Sequence, residues 1–463
     1  MKKLPEEFLR SLEGIKGFNR QTFVQVHEEG QQVTSVRMNP YKVTENHGQW
    51  TIDHNLSSSI NRIPWSRYGY YLSSRPSFTF DPLFHAGCYY VQEASSMFLE
   101  QAFVQLTDIS EPLKVLDLCA APGGKSTHIQ SLISPESILV CNEVISSRTN
   151  ILTDNILKWG ASNVVVTNND PSAFSRLEGY FDVMVVDAPC SGSGLFRKDE
   201  ESIDEWSLHN VQLCSQRQQR ILADGLPALK PGGILIYSTC SYSREEDEYI
   251  TSWLVNEMNM ENLKLQVDPS WEIVTAEEND VAGFRFYPDK LKGEGLYMAC
   301  FRKNDGSQAR FRSVKIEKAS ANEKAIISGA VKESGMEIIK ENNEFFSLPE
   351  TLFREYGILK PALNTRYRGT QLGAIMKKRL VPNHALALSL IASPMLPAFD
   401  VSYEEAIRYL QRQDTGLEFP GKGWHLIRYQ THNLGWVNVL GNRTNNYYPK
   451  ELRILKQSGH STF

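Results

Sequence analysis

The chain has 463 residues, 41% hydrophobic and 22% charged, with a formal net charge of −5. That length predicts two or three domains, each with apolar residues enough for a core. No apolar run approaches the ~20 residues that span a bilayer, and the opening MKKLPEEFLRSLEG has no apolar stretch behind its lysines, so neither an anchor nor a secretion signal is read and the expected setting is cytoplasmic.

Residues 1–84 begin with a helix over 5–12. Short alternating segments at 21–26 and 33–36 follow, and the whole reads as a small mixed α/β module. From 85 to 304 the pattern changes. Apolar β-branched runs at 114–119, 137–142, 163–167, 181–187 and 233–238 alternate with helix-length segments, as a parallel sheet covered on both faces requires. Segments 284–287 and 295–301 flank a Gly-containing connection and predict an antiparallel hairpin at the sheet edge. The expected architecture is a doubly wound, mostly parallel sheet with that hairpin, the layout of the common methyltransferase fold. Residues 305–325 read as a polar linker. Residues 326–463 read as a mixed α+β region, with a second split near 385.

Charge is unevenly spread. Residues 360–463 hold 14 Lys and Arg against 6 Asp and Glu, net +8, which leaves −13 for residues 1–359. A basic C-terminal part on an acidic body is the asymmetry of a module that grips a polyanion; solvated helix faces give the same count. The seven cysteines (Cys88, Cys119, Cys141, Cys190, Cys214, Cys240, Cys300) are odd in number and widely spaced, which does not suggest a disulfide framework. No C-x-x-C pair occurs, so no zinc site is expected.

Three constellations carry chemistry. The first is the end of the 114–119 run with Cys119, Ala120, Ala121, Pro122, Gly123, Gly124 and Lys125. A strand, a Gly-rich turn and a helix leave backbone N–H groups open to a nucleotide-like cofactor. It is not a P-loop, which needs G-x-x-x-x-G-K-[ST]. Glu143 follows the second run, where a carboxylate can take both ribose hydroxyls, and Asp170 follows the third, placed for an adenine amino group. Arg148 reads as a further cofactor contact. The second constellation is Asp187-Ala-Pro-Cys190-Ser-Gly-Ser-Gly194, and the third Ser238-Thr-Cys240-Ser-Tyr242. Neighbouring strands thus deliver two cysteines to one sheet edge. A lone cysteine in such a fold is more often a small core residue, a reading kept for Cys119, Cys141, Cys214 and Cys300. Cys190 and Cys240 lie past their apolar runs, in polar loops.

With these motifs the sequence resembles the Nop/Sun family of RNA cytosine-5 methyltransferases. The matching segments are 119–125 (CAAPGGK), 187–190 (DAPC), 196–199 (FRKD), 238–241 (STCS) and the lead-in 85–97 (HAGCYYVQEASSM). Segments 434–436 (LGW) and 443–450 (RTNNYYPK) resemble the C-terminal PUA-like region of the bacterial ribosomal-RNA branch. Ser193 departs from the Glu often found there. The resemblance implies an enzyme using S-adenosylmethionine to form 5-methylcytosine in ribosomal RNA, through a covalent adduct from Cys240 to carbon 6. It implies that Asp187 lies against the cytosine N3 and amine, that Cys190 assists breakdown of the adduct, and that Lys125 orients Asp187. The target base must be single-stranded or flipped out, and Trp424, Trp436, Tyr447 and Tyr448 are expected to offer it stacking surfaces. The implied partner is ribosomal RNA or a ribosomal subunit, with no metal and no membrane, and a monomer is expected. Two alternatives stay open: a transfer-RNA methyltransferase, and a non-catalytic RNA-binding assembly factor, against which the two thiols argue.

Overall fold

A computed structural model of the chain describes residues 2–43, 61–278, 280–332, 335–441 and 443–456. At the N-terminus helix Glu6–Ser11 precedes four short strands: β1 (Thr34–Met38), β2 (Asn61–Arg62), β3 (Gly69–Leu72) and β4 (Tyr89–Val91). They pair antiparallel in the order β2-β3-β1-β4. Residues 21–26, whose alternation suggests an extended segment, lie instead inside helix Arg20–Glu29. The Asn19 side chain caps that helix by accepting from the Gln21 and Thr22 N–H groups, and the buried pair Phe23 and His27 is spaced by four. The cap and the four-residue spacing prevail over a short accidental alternation.

The central sheet follows from runs apolar on both faces. Strands β5 (Lys114–Asp117), β6 (Ile138–Asn142), β7 (Val164–Thr167), β8 (Phe181–Asp187) and β9 (Leu229–Thr239) are parallel in the order β9-β8-β5-β6-β7. Strands β10 (Met260–Leu263), β11 (Val274–Glu278), β12 (Val281–Phe286) and β13 (Leu296–Lys303) complete one side, with β13 antiparallel to β9 and β12 to β13. Alternate residues serve two cores. Leu116, Val140, Val165, Met184 and Leu235 face one; Val115, Leu139, Val164, Val183 and Ile234 face the other, with Phe98, Ile129 and Ile156 from covering helices. The chain reverses its direction of travel across the sheet between β5 and β8, and ligands bind such folds outside the strand ends at that point.

The region beyond residue 304 is bound to this body. The stretch 305–325, expected to be a linker, is strapped down: Ala309 N–H donates to Glu178 O at 3.1 Å, Val314 N–H to Gly357 O at 3.0 Å, and Ile316 is buried in the first core. Helix Ala321–Ile327 starts inside it, on a capping box of Ser320 and Glu323. Strands β14 (Met336–Glu341) and β15 (Glu344–Pro349) follow. Then β16 (Thr365–Arg368) pairs antiparallel with β7 and becomes the far edge of the central sheet. Ile339, Phe346, Leu348, Tyr356 and Leu359 belong to the first core. The cut expected at 326 therefore falls inside packed structure, and part of the basic count belongs to the body: Lys360 and Arg368 both pair with Glu341. Strands β17 (Thr370–Met376) and β18 (Arg379–Pro382) complete the β14-β15-β17-β18 sheet.

The last sheet is β19 (Ala398–Asp400), β20 (Gly423–Tyr429), β21 (His432–Val439) and β22 (Thr444–Asn446), in that order. It shares a core with the N-terminal module, Val401, Ile407, Ile427 and Val437 packing with Val36, Tyr70 and Tyr89. The stacking expectation needs correction here. Trp436 is 1% exposed and Tyr448 2% exposed, so neither offers a face to a base. Their rings fill the core, Trp436 Nε1 donating to Asn383 O at 2.9 Å. Tyr447 is exposed, and half-buried Trp424 packs against it with ring centroids 4.4 Å apart. Among the described residues no helix is long and apolar enough to cross a membrane.

Candidate active site

The loop after β5 turns at Gly123, whose φ of +111° suits a residue without Cβ, into helix Gly124–Leu132. Ala120 N–H donates to Asn142 O at 2.8 Å, and Asn142 Nδ2 donates to Leu118 O at 3.2 Å and Asn169 O at 3.0 Å. The ends of β5, β6 and β7 are thus tied together. Ala120 and Ala121 are buried, Cys119 is half-buried with its thiol pushed up by burial, and Pro122 is exposed. Buried Glu143 accepts Ile145 N–H at 2.8 Å and stands 3.4 Å from Arg148, which also donates to Ala121 O at 2.8 Å. Glu143 and Arg148 therefore flank the Cys119–Gly124 turn. Asp170 lies three residues beyond β7. It accepts from Ser172 N–H at 3.1 Å and Ser172 Oγ at 2.7 Å and pairs with Arg220 at 3.3 Å; these bonds, that of the Ser172 hydroxyl first, hold its carboxyl low.

Two polar groups here were not picked out from the sequence. Asp117, at the end of β5, is fully buried; Oδ2 accepts Ser126 Oγ at 2.6 Å, and Oδ1 has no hydrogen-bond partner. Burial pushes its carboxyl up to about 7. Asn169 Nδ2 is likewise buried without a hydrogen-bond partner. Unpaired buried polar atoms at the ends of β5 and β7 suit a polar ligand bearing a cationic centre, a ribose and an adenine, such as S-adenosylmethionine.

The strand ends on the other side carry the reactive groups. Asp187 Oδ1 accepts Lys125 Nζ at 2.8 Å and Ser238 Oγ at 2.8 Å. Burial alone would lower the Lys125 ammonium, but the charge and hydrogen bond of Asp187 outweigh it and raise it. Cys190 Sγ lies 3.0 Å from Cys240 Sγ, and both are free thiols. The hydrogen bond to Cys240 first, and burial second, push the Cys190 thiol well up, and either sulfur can donate to the other. The two loops interlock through Gly194, whose N–H donates to Cys240 O at 2.8 Å. A Cβ there would fall 2.6 Å from Gly295 O and 2.8 Å from Cys240 O. Ser193, which departs from the family's frequent Glu, is buried and accepts Tyr242 N–H at 3.0 Å.

Behind them lies a buried acidic run. Glu246 and Asp247 are fully buried and Glu248 nearly so. Thr239 Oγ1 donates to Asp247 at 2.6 Å, and Arg285 pairs with Asp247 at 3.0 Å and with Glu248. The signal that could have found them is four consecutive acids, 245–248, directly after a strand-end motif. Among the described residues no group of three or more His, Cys, Asp or Glu could hold a metal ion.

Comparison with known proteins places this arrangement. The model of the 16S rRNA methyltransferase RsmB/F family matches residues 104–302, that of the N-terminal domain of 16S rRNA methyltransferase RsmF residues 4–94, and that of the methyltransferase RsmF PUA domain residues 396–454. The ribosomal RNA small subunit methyltransferase F of Aliivibrio fischeri (strain MJ11) is 30% identical over 409 residues, 85% of each chain. The chain belongs to this family. The protein of the same name from Vibrio vulnificus (strain YJ016) is 28% identical over 474 residues, 97% of each chain. A solved methyltransferase homolog from Pyrococcus horikoshii is 28% identical with a TM-score of 0.53, covering 64% of this chain and 93% of that one. Membership makes the chain an S-adenosylmethionine-dependent RNA methyltransferase, with the fold expected from the sequence.

Proposed function

We propose that the chain methylates carbon 5 of a cytosine in small-subunit ribosomal RNA, with Cys240 as nucleophile. The observation that carries this reading is the 3.0 Å pair of free thiols beside the Lys125–Asp187 ion pair. Carbon 5 of cytosine is a poor nucleophile. Addition of the Cys240 thiolate to carbon 6 makes carbon 5 enamine-like, able to take the electrophilic methyl that S-adenosylmethionine supplies when bound. Asp187, partly exposed and held by Lys125 and Ser238, faces the cytosine N3 and amine and stabilises the charge that develops on attack. One thiol of the 3.0 Å pair donates to the other before attack, and the Cys240 proton leaves to solvent as its thiolate forms. Once carbon 5 is methylated, Cys190, having given its own proton to solvent, takes the carbon 5 proton as a thiolate; the C–H pair forms the carbon 5–carbon 6 double bond, the carbon 6–sulfur bond breaks, and its electron pair returns to Cys240.

Glu143 and Arg148, with Cys119–Lys125, would hold the methionine and ribose portions of the cofactor, and Asp170 the adenine. Substrate RNA is gripped by the terminal sheet, whose relatives carry the PUA name. The units of this reading are the three matched segments, 4–94, 104–302 and 396–454, and its expected setting is the cytoplasm.

The test is a denaturing gel of each cysteine variant incubated with small-subunit RNA and S-adenosylmethionine. Cys190→Ala should accumulate a slow-migrating protein–RNA band, because attack proceeds and elimination stalls. Cys240→Ala should show none and no turnover. The reverse pattern swaps the roles, and no band in either counts against covalent catalysis. Bisulfite mapping of RNA from cells with and without the gene reads the substrate; loss of 5-methylcytosine from transfer RNA alone would overturn the ribosomal assignment.

A further inference from the structure

The two sulfurs belong to different strands, so their separation has to be fixed by something that reaches both. Cys190 lies in the loop after β8 and Cys240 in the loop after β9, 50 residues apart. Each is followed by a serine, and both serines end on one carboxylate. Glu246 Oε2 accepts Ser191 Oγ at 2.5 Å and Ser241 Oγ at 2.7 Å. Its Oε1 accepts Ser191 N–H at 2.8 Å and Gln218 Nε2 at 3.2 Å. Gln218 also donates to Pro189 O at 3.1 Å, so Cys190 is held through the residue before it as well as the one after. Glu246 is itself anchored, with the Tyr237 hydroxyl 2.6 Å from its carbonyl oxygen.

The number of donors matters. Four donors meet the four lone-pair positions of an ionised carboxylate, and none of them is a cation. Burying such a charge without a counter-ion is costly, and burial does push the Glu246 carboxyl up, against the hydrogen bonds of Ser191 and Ser241. Closing one loop needs no charge. Joining two loops at the residue after each cysteine is what this carboxylate accomplishes.

We propose that Glu246 is a positioning residue that sets the separation of Cys190 and Cys240 by holding Ser191 and Ser241 on one carboxylate. The proposal rests on the reading of Cys240 as nucleophile and Cys190 as its partner. The charge adds a second effect. Glu246 is among the groups that push the Cys190 thiol up, so it helps keep the proton on Cys190.

The test uses the full-length chain with Glu246→Ala, Glu246→Gln, Ser191→Ala and Ser241→Ala, and Cys240→Ala alongside. The readouts are single-turnover methylation, the adduct gel and S-adenosylmethionine affinity. A displacement on the order of 1 Å at reacting atoms costs about a hundredfold, so Glu246→Ala should lose about that in rate with cofactor affinity within about twofold. Glu246→Gln can keep all four bonds if both serine hydroxyls reverse and accept from the amide. It should recover to within about tenfold of wild type at neutral pH. With the charge gone Cys190 loses its proton more readily, so the pH at which adduct breakdown becomes fast should move lower, a change in the pH profile that a purely structural residue would not produce. If Glu246→Ala does not fold, the serine variants decide: Ser241→Ala should slow adduct formation, and Ser191→Ala should slow adduct breakdown so that the band builds up. Wild-type rates and pH profile in the folded Glu246 variants, or wild-type rates in both serine variants, overturn the clamp. Turnover by Cys240→Ala would instead overturn the nucleophile reading; a dead Cys240→Ala beside wild-type clamp variants overturns only the clamp.

Discussion

Asp117 is the residue whose environment most directly links the cofactor loop to pH. Its ordinary carboxyl value of 3.8 rises to about 7 because it is fully buried, with only Ser126 donating to it. A raised carboxyl costs the folded state nothing below the unfolded value, where both states hold the proton. As pH rises the unfolded chain ionises first, so stability is lost between about 4 and 7 and the loss is complete above that. At about 1.4 kcal/mol per pH unit the full effect is on the order of 4 kcal/mol. Asp117→Asn keeps the acceptor for Ser126 and does not titrate. Without cofactor, its stability relative to wild type should rise by a few kcal/mol from pH 4 to pH 8, measured by urea unfolding at each pH. Parallel pH dependences in the two proteins would show that Asp117 ionises normally in the folded chain.

Elements are held to the site by groups far from it in sequence, and Arg37 on β1 is the clearest. Its guanidinium is fully buried and reaches the helix that follows the cofactor turn, donating to Thr127 Oγ1 at 2.7 Å, Gly124 O at 3.2 Å and Ser131 Oγ at 3.3 Å. It also donates to Gln92 Oε1 at 2.8 Å and lies 4.5 Å from the Trp159 ring centroid. Hydrogen bonds from a charged donor contribute about 1.5–3 kcal/mol each. Arg37→Met should therefore destabilise the chain by at least about 2 kcal/mol and weaken S-adenosylmethionine binding roughly tenfold, because Gly124 opens the helix at the turn. Calorimetric titration checks this, and Arg37→Lys should not rescue it, since one ammonium cannot span the same acceptors. Unchanged cofactor affinity in Arg37→Met would separate the N-terminal module from the cofactor turn. The same case shows where sequence reading stops. The 119–125 turn and the Cys190 and Cys240 loops were legible because each is a local run of Gly, Pro, Cys and Ser at the end of an apolar strand. Arg37 and Glu246 were not, because their partners lie 87 and 55 residues away. Trp436 and Tyr448 were misread for a related reason: composition shows an aromatic but not which face of a short strand or turn it takes.

At the scale of the whole chain the question is which surface holds RNA. Removing everything after residue 325 cannot answer it, because that cut also removes β16 from the central sheet and Ile339, Phe346 and Leu359 from its core. The terminal sheet offers a gentler test. A groove of about 1220 Å³ runs along it, with Arg443, Lys450 and Tyr447 exposed in its lining. Two cations and an aromatic face beside one groove suit a single strand, phosphates on the cations and a base on the ring. Each phosphate contact to a single strand contributes about 0.7 to the slope of log affinity against log salt. Replacing Arg443 and Lys450 together by Gln should reduce that slope by about 1.4 and weaken RNA binding several-fold at moderate salt. Neither residue is among the partners that hold Asp187, Cys190 and Cys240, so cofactor affinity and the single-turnover rate at saturating RNA should stay at the wild-type level. Fluorescence anisotropy across a salt series with a small-subunit RNA fragment measures both quantities. An unchanged slope and affinity would move the RNA path off this groove and onto the methyltransferase body.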